Sequence, residues 1–378
     1  MVFVSIRKRV EMIRVGGIEL YLGPVVLGAP DDLDAAVGSF IDEATDSLAI
    51  AVQEIDSESV ARRIVAAKQR GVRVRVILEG DYLVEETARP DPWVVLGTGG
   101  TNEGKRQILN AFLRARVDVI LDLNPRIFHQ KFIVRDAGEP NSAVLTGSTN
   151  FTLTDTGHNT DGRGNNLNHI VVLHGATAAT QYLEEFERLR SGTFGDLHER
   201  VESRPREFNL GRVRVKPLFA PRHGPEMEVM KQMLKARSSI DFAMFTFSNT
   251  SGIDDTMLRL AQLDPPIRIR GVLDRGQGVQ AWAPTQVLKA AGVELFMNKP
   301  GTEVRKLHHK LMIIDEQLVI AGSFNYTEPA TLFNDENIVV LGDLDATGAE
   351  SIQNQKSLAS YALTEIERII ADLSQPVL

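Results

Sequence analysis

The sequence predicts an α/β protein built as two repeated α-β-α sandwich domains with mixed β-sheets, related by a pseudo-twofold axis. A long internal repeat keeps one order along the chain. Within each copy, short alternating apolar runs take turns with segments of helical periodicity, the pattern of a mixed sheet flanked by helices. At 378 residues, with 43% hydrophobic and 24% charged side chains, the chain exceeds one ordinary domain and has the composition of a folded globular protein.

Taken in order, "IELYLGP" (18–24) answers to "VKPLFAP" (215–221), each a strand followed by a polar turn and a helical pattern. "EATDSLAIAV" (43–52) answers to "LKARSSIDFAM" (234–244), a helix end running into a strand. "VRVRVILEGD" (72–81) and "IRIRGVLDRG" (267–276) are alternating strands that each end in an acidic residue. "LRARVDVIL" (113–121) parallels "LKAAGVELF" (288–296), and "FHQKFIVRD" (128–136) parallels "LHHKLMIID" (307–315). Offsets between copies stay between about 175 and 197 residues, so the chain is a duplication, and each half reads β-α-β-α-β-β. The charged, Gly- and Pro-bearing stretch 187–211 reads as the end of one half and the link to the next, giving domains 1–205 and 206–378.

Composition excludes several chemistries. Without cysteine there is no disulfide framework, thiolate zinc site or cysteine nucleophile. The N-terminal "MVFVSIRKRVEMIRVGG" places charges inside its apolar region, unlike a secretory signal, and no run of 18 apolar residues offers a membrane span. A soluble, cytoplasmic protein without stable membrane insertion is expected. The net charge of −8 disfavours non-specific coating of polyanions, although a local basic groove is compatible with it.

The chemistry concentrates in two places. On a strand alternate side chains share a face, so His129 with Lys131, and His308 with Lys310, stand side by side. An imidazole beside an ammonium suits a phosphate: the lysine supplies charge, and the histidine attacks or donates a proton. Asp136 and Asp315 follow their histidines by seven positions, which puts them at the strand's end in a structural role, tying down the following turn. A second strand in each half, "AVLTGSTN" (143–150) and "LVIAGSFN" (318–325), ends in Gly147 or Gly322, whose missing side chain permits close backbone approach. Ser148 with Asn150, and Ser323 with Asn325, then share a face from which to donate to phosphoryl oxygens. Farther on, Glu336 in "NDENIVVL" corresponds to Asn168 in "NLNHIVVL".

These twin H-x-K-x4-D and G-S-x-N runs resemble the phospholipase D superfamily and its paired "HKD" motifs. The second copy, "HHKLMIIDEQLVIAGSFN", fits without adjustment; the first, "HQKFIVRDAGEPNSAVLTGSTN", carries four additional residues in the turn. The continuation "GSFNYTEPATLFNDENIVVL" is most similar to the branch of small bacterial endonucleases and cardiolipin hydrolases. The resemblance implies a phosphodiesterase that works through a covalent phosphohistidine and needs no metal or other cofactor. One histidine attacks phosphorus while the other protonates the leaving alcohol and then activates water. Lys131, Lys310, Asn150 and Asn325 stabilise the equatorial oxygens. Glu336 orients an imidazole, expected to be His308, and Asn168 can orient a ring but not neutralise it. Asp155 or Asp161 could supply the missing carboxylate, against the expectation that both are solvated loop acids. The implied substrate is a phospholipid or nucleic-acid phosphodiester. Phospholipid is favoured narrowly, and a metal-independent endonuclease on DNA or RNA, or a phosphatidyltransferase of cardiolipin-synthase type, stands as the alternative. With both motifs in one chain, activity as a monomer is expected.

Other signals are weaker. "GGTNEGKR" (99–106) departs from a nucleotide-binding loop because Arg106 stands where a Ser or Thr must hold Mg²⁺. His309 faces away from His308 and is expected to pack. Trp93 and Trp282 each follow an equivalent strand, where a ring could stack on a base, meet lipid or pack.

Overall fold

The runs "SLAIAV" and "SIDFAM" become the central strands Ser47–Val52 and Ser239–Met244, buried along almost their whole length, as strands covered on both faces must be. The structure, a computed structural model, describes residues 12–84, 102–197 and 205–378. It contains two nine-stranded sheets. Across the first, the order is Ile13–Val15, Ile18–Gly23, Asn165–His174, Ala143–Gly147, Lys131–Arg135, Ser47–Val52, Arg73–Leu78, Asp118–Leu121. The second repeats it strand for strand: Phe208–Leu210, Val213–Ala220, Glu336–Leu341, Leu318–Gly322, Lys310–Ile314, Ser239–Met244, Arg268–Leu273, Glu294–Asn298, with Ser374–Pro376 added at the edge. In both, the last three shared strands run parallel and the others antiparallel. Each half therefore carries more strands than the β-α-β-α-β-β expected. The additional strands include Asn165–His174 and Glu336–Leu341, which follow the G-S-x-N runs and carry the apolar run IVVL.

Three hydrophobic cores follow. Two lie on the outer face of one sheet each, under helices such as Leu33–Asp42 and Glu58–Gln69 in the first half and Pro225–Met233 and Ile253–Ala261 in the second. Asp32 and Ser57 cap the first pair by accepting from the N–H groups of Ala35 and Val60. The third core joins both halves: Phe132, Leu173 and Tyr182 pack in it with Phe219, Ile313 and Leu358, and the helices Ala176–Arg190 and Ala349–Arg368 contribute to it. Among the described residues no helix is long and apolar enough to cross a membrane.

The chain just ahead of each motif histidine crosses to the other half. Val304–Leu307 pairs in parallel with the start of Asn165–His174 and so becomes the ninth strand of the first sheet. Its counterpart is the bridge between Phe128 and Asp335. In consequence the His129 N–H donates to the Asp335 carbonyl at 3.0 Å and the His308 N–H to the Leu167 carbonyl at 2.9 Å. The next residues along those acceptor strands are Glu336 and Asn168.

The motif aspartates bind backbone N–H groups at the entry to the neighbouring central strand, a contact the sequence did not announce. Asp136 accepts from the N–H groups of Thr45, Asp46 and Ser47 at 2.7–2.9 Å, and Asp315 from those of Arg237, Ser238 and Ser239 at 2.8–2.9 Å. Each clamps the entry to the neighbouring central strand, and Asp136 also ties the turn that follows it by accepting from Asn141 Nδ2 at 2.5 Å, whereas Asp315 makes no such contact with its own turn among the described residues.

Candidate active site

The pseudo-twofold arrangement brings the two imidazoles together. The rings of His129 and His308 have centroids 6.5 Å apart at 76° to one another, on the wall of one cavity of about 840 Å³. Their backing crosses between halves. His129 Nδ1 lies 2.7 Å from Glu336 Oε2, while His308 Nδ1 lies 2.9 Å from Asn168 Oδ1. The expected pairing of Glu336 with His308 is therefore corrected: strand crossover delivers each partner to the histidine of the opposite half.

Ser148 and Ser323 sit behind this layer, fully buried and off the cavity wall, so the expected donation to phosphoryl oxygens gives way to a positioning contact. Ser323 Oγ donates to Glu336 Oε2 at 2.6 Å, and Ser148 Oγ to Asn168 Oδ1 at 2.8 Å. Each hydroxyl in turn accepts a backbone N–H, from Asn337 and His169 respectively. Because Asn168 Nδ2 faces the carbonyls of Asp155 and Asn166, its Oδ1 is the atom turned to His308, which therefore carries its proton on Nδ1. Gly147 and Gly322 also lie off the cavity. A Cβ on either would stand 2.3 Å from the carbonyl oxygen of His169 or Asn337, so the glycines serve the approach of neighbouring strands, not of a ligand.

Asn150 and Asn325 do line the cavity. Asn150 is held by its N–H donating to Asp155 Oδ2 at 2.8 Å and keeps an unpartnered Oδ1 in the interior. Lys131 and Lys310 are buried beside the histidines, each ammonium donating to the carbonyl of its own motif histidine, at 2.8 and 2.9 Å. Lys131 also donates to Gln53 Oε1 at 3.1 Å. At the equivalent place in the second half, the Phe245 ring lies 5.0 Å from the Lys310 ammonium and 5.0 Å from the His308 ring.

Burial governs the titration of the cluster. It pushes the Glu336 carboxyl up to about 8, with Lys131 and Ser323 opposing. It brings Lys131 down to about 8 and holds Lys310, also facing Lys131, well below the ordinary lysine range. Both motif imidazoles are held well below their ordinary value, first by burial and then by the lysine ammonium groups.

Asp155 is not a solvated loop acid. It is buried, accepts from Asn150 N–H and Asn166 Nδ2, and stands 4.0 Å from His308 Nδ1 as the nearest carboxylate to that ring. Asp161 is exposed and paired with Arg163. Sequence reasoning missed Gln53, Phe245 and Lys306, although the repeat register alone pairs Gln53 with Phe245 just past the central strands. It also set aside Lys105, which lines the cavity and pairs with Glu54 at 2.8 Å. Trp282 is on the cavity wall; Trp93, and the first residues of "GGTNEGKR", lie outside the described residues.

Fold, paired motifs and crossed histidines define a phospholipase D-like protein, and comparison with known proteins agrees: residues 37–190 and 229–355 match the family described as "Cardiolipin synthase, PLD-like domain". The chain belongs to the phospholipase D superfamily. It is similar to a phospholipase D of Rickettsia bellii, 31% identical over 140 residues, which are 36% of this chain and 65% of that one. It is also similar to a mitochondrial cardiolipin hydrolase of Chlamydomonas reinhardtii, 32% identical over 108 residues, 29% of this chain and 46% of that one. The matches thus span about half to two thirds of those relatives' length. Among solved structures, the phosphatidylserine synthase of Haemophilus influenzae shares the fold with a TM-score of 0.63 over 97% of this chain and 89% of that one, at 11% identity.

Proposed function

We propose that the protein is a phosphodiesterase that cleaves its substrate through a covalent phosphohistidine, with His129 as nucleophile and His308 as general acid and base. The observation that carries this reading is the crossed, unequal backing of two imidazoles on one cavity. Ionised Glu336 accepts the Nδ1 proton of His129, which leaves the Nε2 lone pair free to attack phosphorus and stabilises the cation that forms. His308 acts as acid in its imidazolium form, its Nδ1–H held by Asn168 Oδ1 and its Nε2–H given to the leaving oxygen, which returns the ring to the neutral Nδ1–H form. It then takes one from the water that opens the phosphohistidine. Asp155 faces the imidazolium form from 4.0 Å. Lys131 and Lys310 act through the field of two buried ammonium groups, and Asn150 and Asn325 through hydrogen bonds, on the equatorial oxygens.

Phospholipid is the favoured substrate over DNA or RNA, supported by the names of the relatives and by the cavity mouth. Ile127, Leu153 and Trp282 line the cavity and are 39–41% exposed, an apolar rim suited to lipid. Hydrolysis of bis(p-nitrophenyl) phosphate and of phospholipid in mixed micelles, both in EDTA, tests the reading. Turnover that persists in chelator and is abolished by His129→Asn supports it; full activity of that variant overturns it.

A further inference from the structure

Proton transfer sets a demand on His308 that its direct partner does not meet. The ring is an imidazolium when it gives its Nε2 proton to the leaving oxygen, and again once it has taken a proton from water. Burial opposes that cation, and Lys310, Lys131 and Lys306, with His129 in its protonated form, add charge of the same sign. Asn168 Oδ1 orients the ring at 2.9 Å and brings no charge. A carboxylate nevertheless stands in the first half, at another position. Phe151 and Tyr326 occupy equivalent bridges, to Ile55 and Phe247. One residue farther on, Thr152 Oγ1 accepts the N–H of Asp155 and Thr327 Oγ1 that of Ala330, so Asp155 is answered by Ala330 just as Asn168 is by Glu336. The second half thus holds a carboxylate and a methyl group where the first holds an amide and a carboxylate.

Asp155 belongs to the short helix Leu153–Thr156 and is 1% exposed, and the Ala330 that answers it is fully buried. Its carboxylate is fixed by Asn150 N–H and Asn166 Nδ2 and lines the cavity with Oδ2 4.0 Å from His308 Nδ1. We propose that Asp155 is a positioning residue for proton transfer, the counter-ion of the His308 imidazolium, supplying from a neighbouring loop the charge that the strand residue Asn168 lacks. Orientation and neutralisation, which Glu336 performs alone for His129, are divided in the other half between Asn168 and Asp155. At 4.0 Å in a buried site a full charge bears on the ring although no proton is shared. The inference rests on the phosphohistidine reading above and concerns only the steps in which His308 moves a proton.

Bis(p-nitrophenyl) phosphate separates those steps, because its first leaving group needs no acid while the water step needs His308 as base. In Asp155→Asn the remaining carbonyl oxygen still accepts from Asn150 N–H, and Asn166 Oδ1, which has no partner, turns to meet the new amide. Single-turnover release of nitrophenolate is expected to stay within about five-fold of wild type, while steady-state turnover falls by about 30-fold or more and phosphorylated His129 accumulates. Asp155→Ala combined with Asn168→Glu copies the second half and is expected to recover most of the lost turnover. Steady-state turnover of Asp155→Asn within about three-fold of wild type overturns the proposal. So does an equal loss of single-turnover release and steady-state turnover, the mark of a collapsed Asn150 loop, or a double variant that regains nothing. Phosphohistidine that accumulates in His308→Asn but not in Asp155→Asn overturns this proposal alone; its absence from both overturns the phosphohistidine reading as well.

Discussion

At the scale of single residues, the two halves differ most usefully where Glu336 stands opposite Asn168. Both partners accept from the Nδ1 of an imidazole, but only one can become an anion, so the histidines are chemically unequal despite nearly equal surroundings. Burial lifts Glu336 to about 8, so its ionised form grows as pH rises through that value. The rate is expected to rise with pH over the same range, and Glu336→Gln to lower turnover by about 100-fold and remove that limb of the profile. A pH–rate profile of both proteins on bis(p-nitrophenyl) phosphate checks it; an unchanged limb in Glu336→Gln would assign the titration elsewhere.

At the scale of elements, each sheet is completed by a residue whose side chain is absent or acts as an anchor. A methyl group at Gly322 would meet the Asn337 carbonyl oxygen at 2.3 Å with φ at +147°, so Gly322→Ala is expected to cost about 2–4 kcal/mol in chemical denaturation and to displace Ser323 from Glu336. Asp315→Ala leaves three N–H groups without their acceptor and is expected to cost about 2 kcal/mol or more, with activity per folded molecule preserved, since Asp315 lies away from the cavity. Much at this level was legible in the sequence. The duplication, the strand runs and the twin motifs all show in residue spacing, because period and turn chemistry are local. The crossed pairing of Glu336 with His129 was not, since it depends on a backbone bridge between Phe128 and Asp335 that no local pattern announces. The burial of Asp155 escaped for the same reason: a loop rich in Asn, Gly and Asp reads as solvated until a second half is laid over it.

At the scale of the whole molecule, the pseudo-twofold interface contains one polar pair in two chemical versions. Asn337 Nδ2 donates to Gln130 Oε1 at 2.7 Å on one side; on the other, the equivalent His169 and His309 meet Nδ1 to Nδ1 at 3.2 Å with rings 9° from parallel. Gly322 N–H donates to His169 Nε2, so that ring carries its proton on Nδ1 and donates it to His309, whose Nε2 faces Glu365 at 3.4 Å. Burial holds both imidazoles below their ordinary value of 6.5. The unfolded chain takes up protons on them as pH falls through that value more readily than the folded chain does, so their contribution to stability is complete above it and declines below. Copying the other side with His169→Asn and His309→Gln is expected to reduce the loss of stability between about pH 7.5 and pH 5.5, read by urea unfolding. An identical pH dependence in wild type and double variant would place the acid sensitivity elsewhere. The central claim, that imidazoles from two halves divide attack and proton transfer at one phosphorus, is tested most directly by His308→Asn with bis(p-nitrophenyl) phosphate, quenched in base and digested for mass spectrometry. The nitrophenolate leaving group needs no acid, so a burst of about one equivalent and a phosphorylated His129 peptide are predicted. Sustained turnover without a modified histidine, or modification at a residue other than His129, would contradict the account.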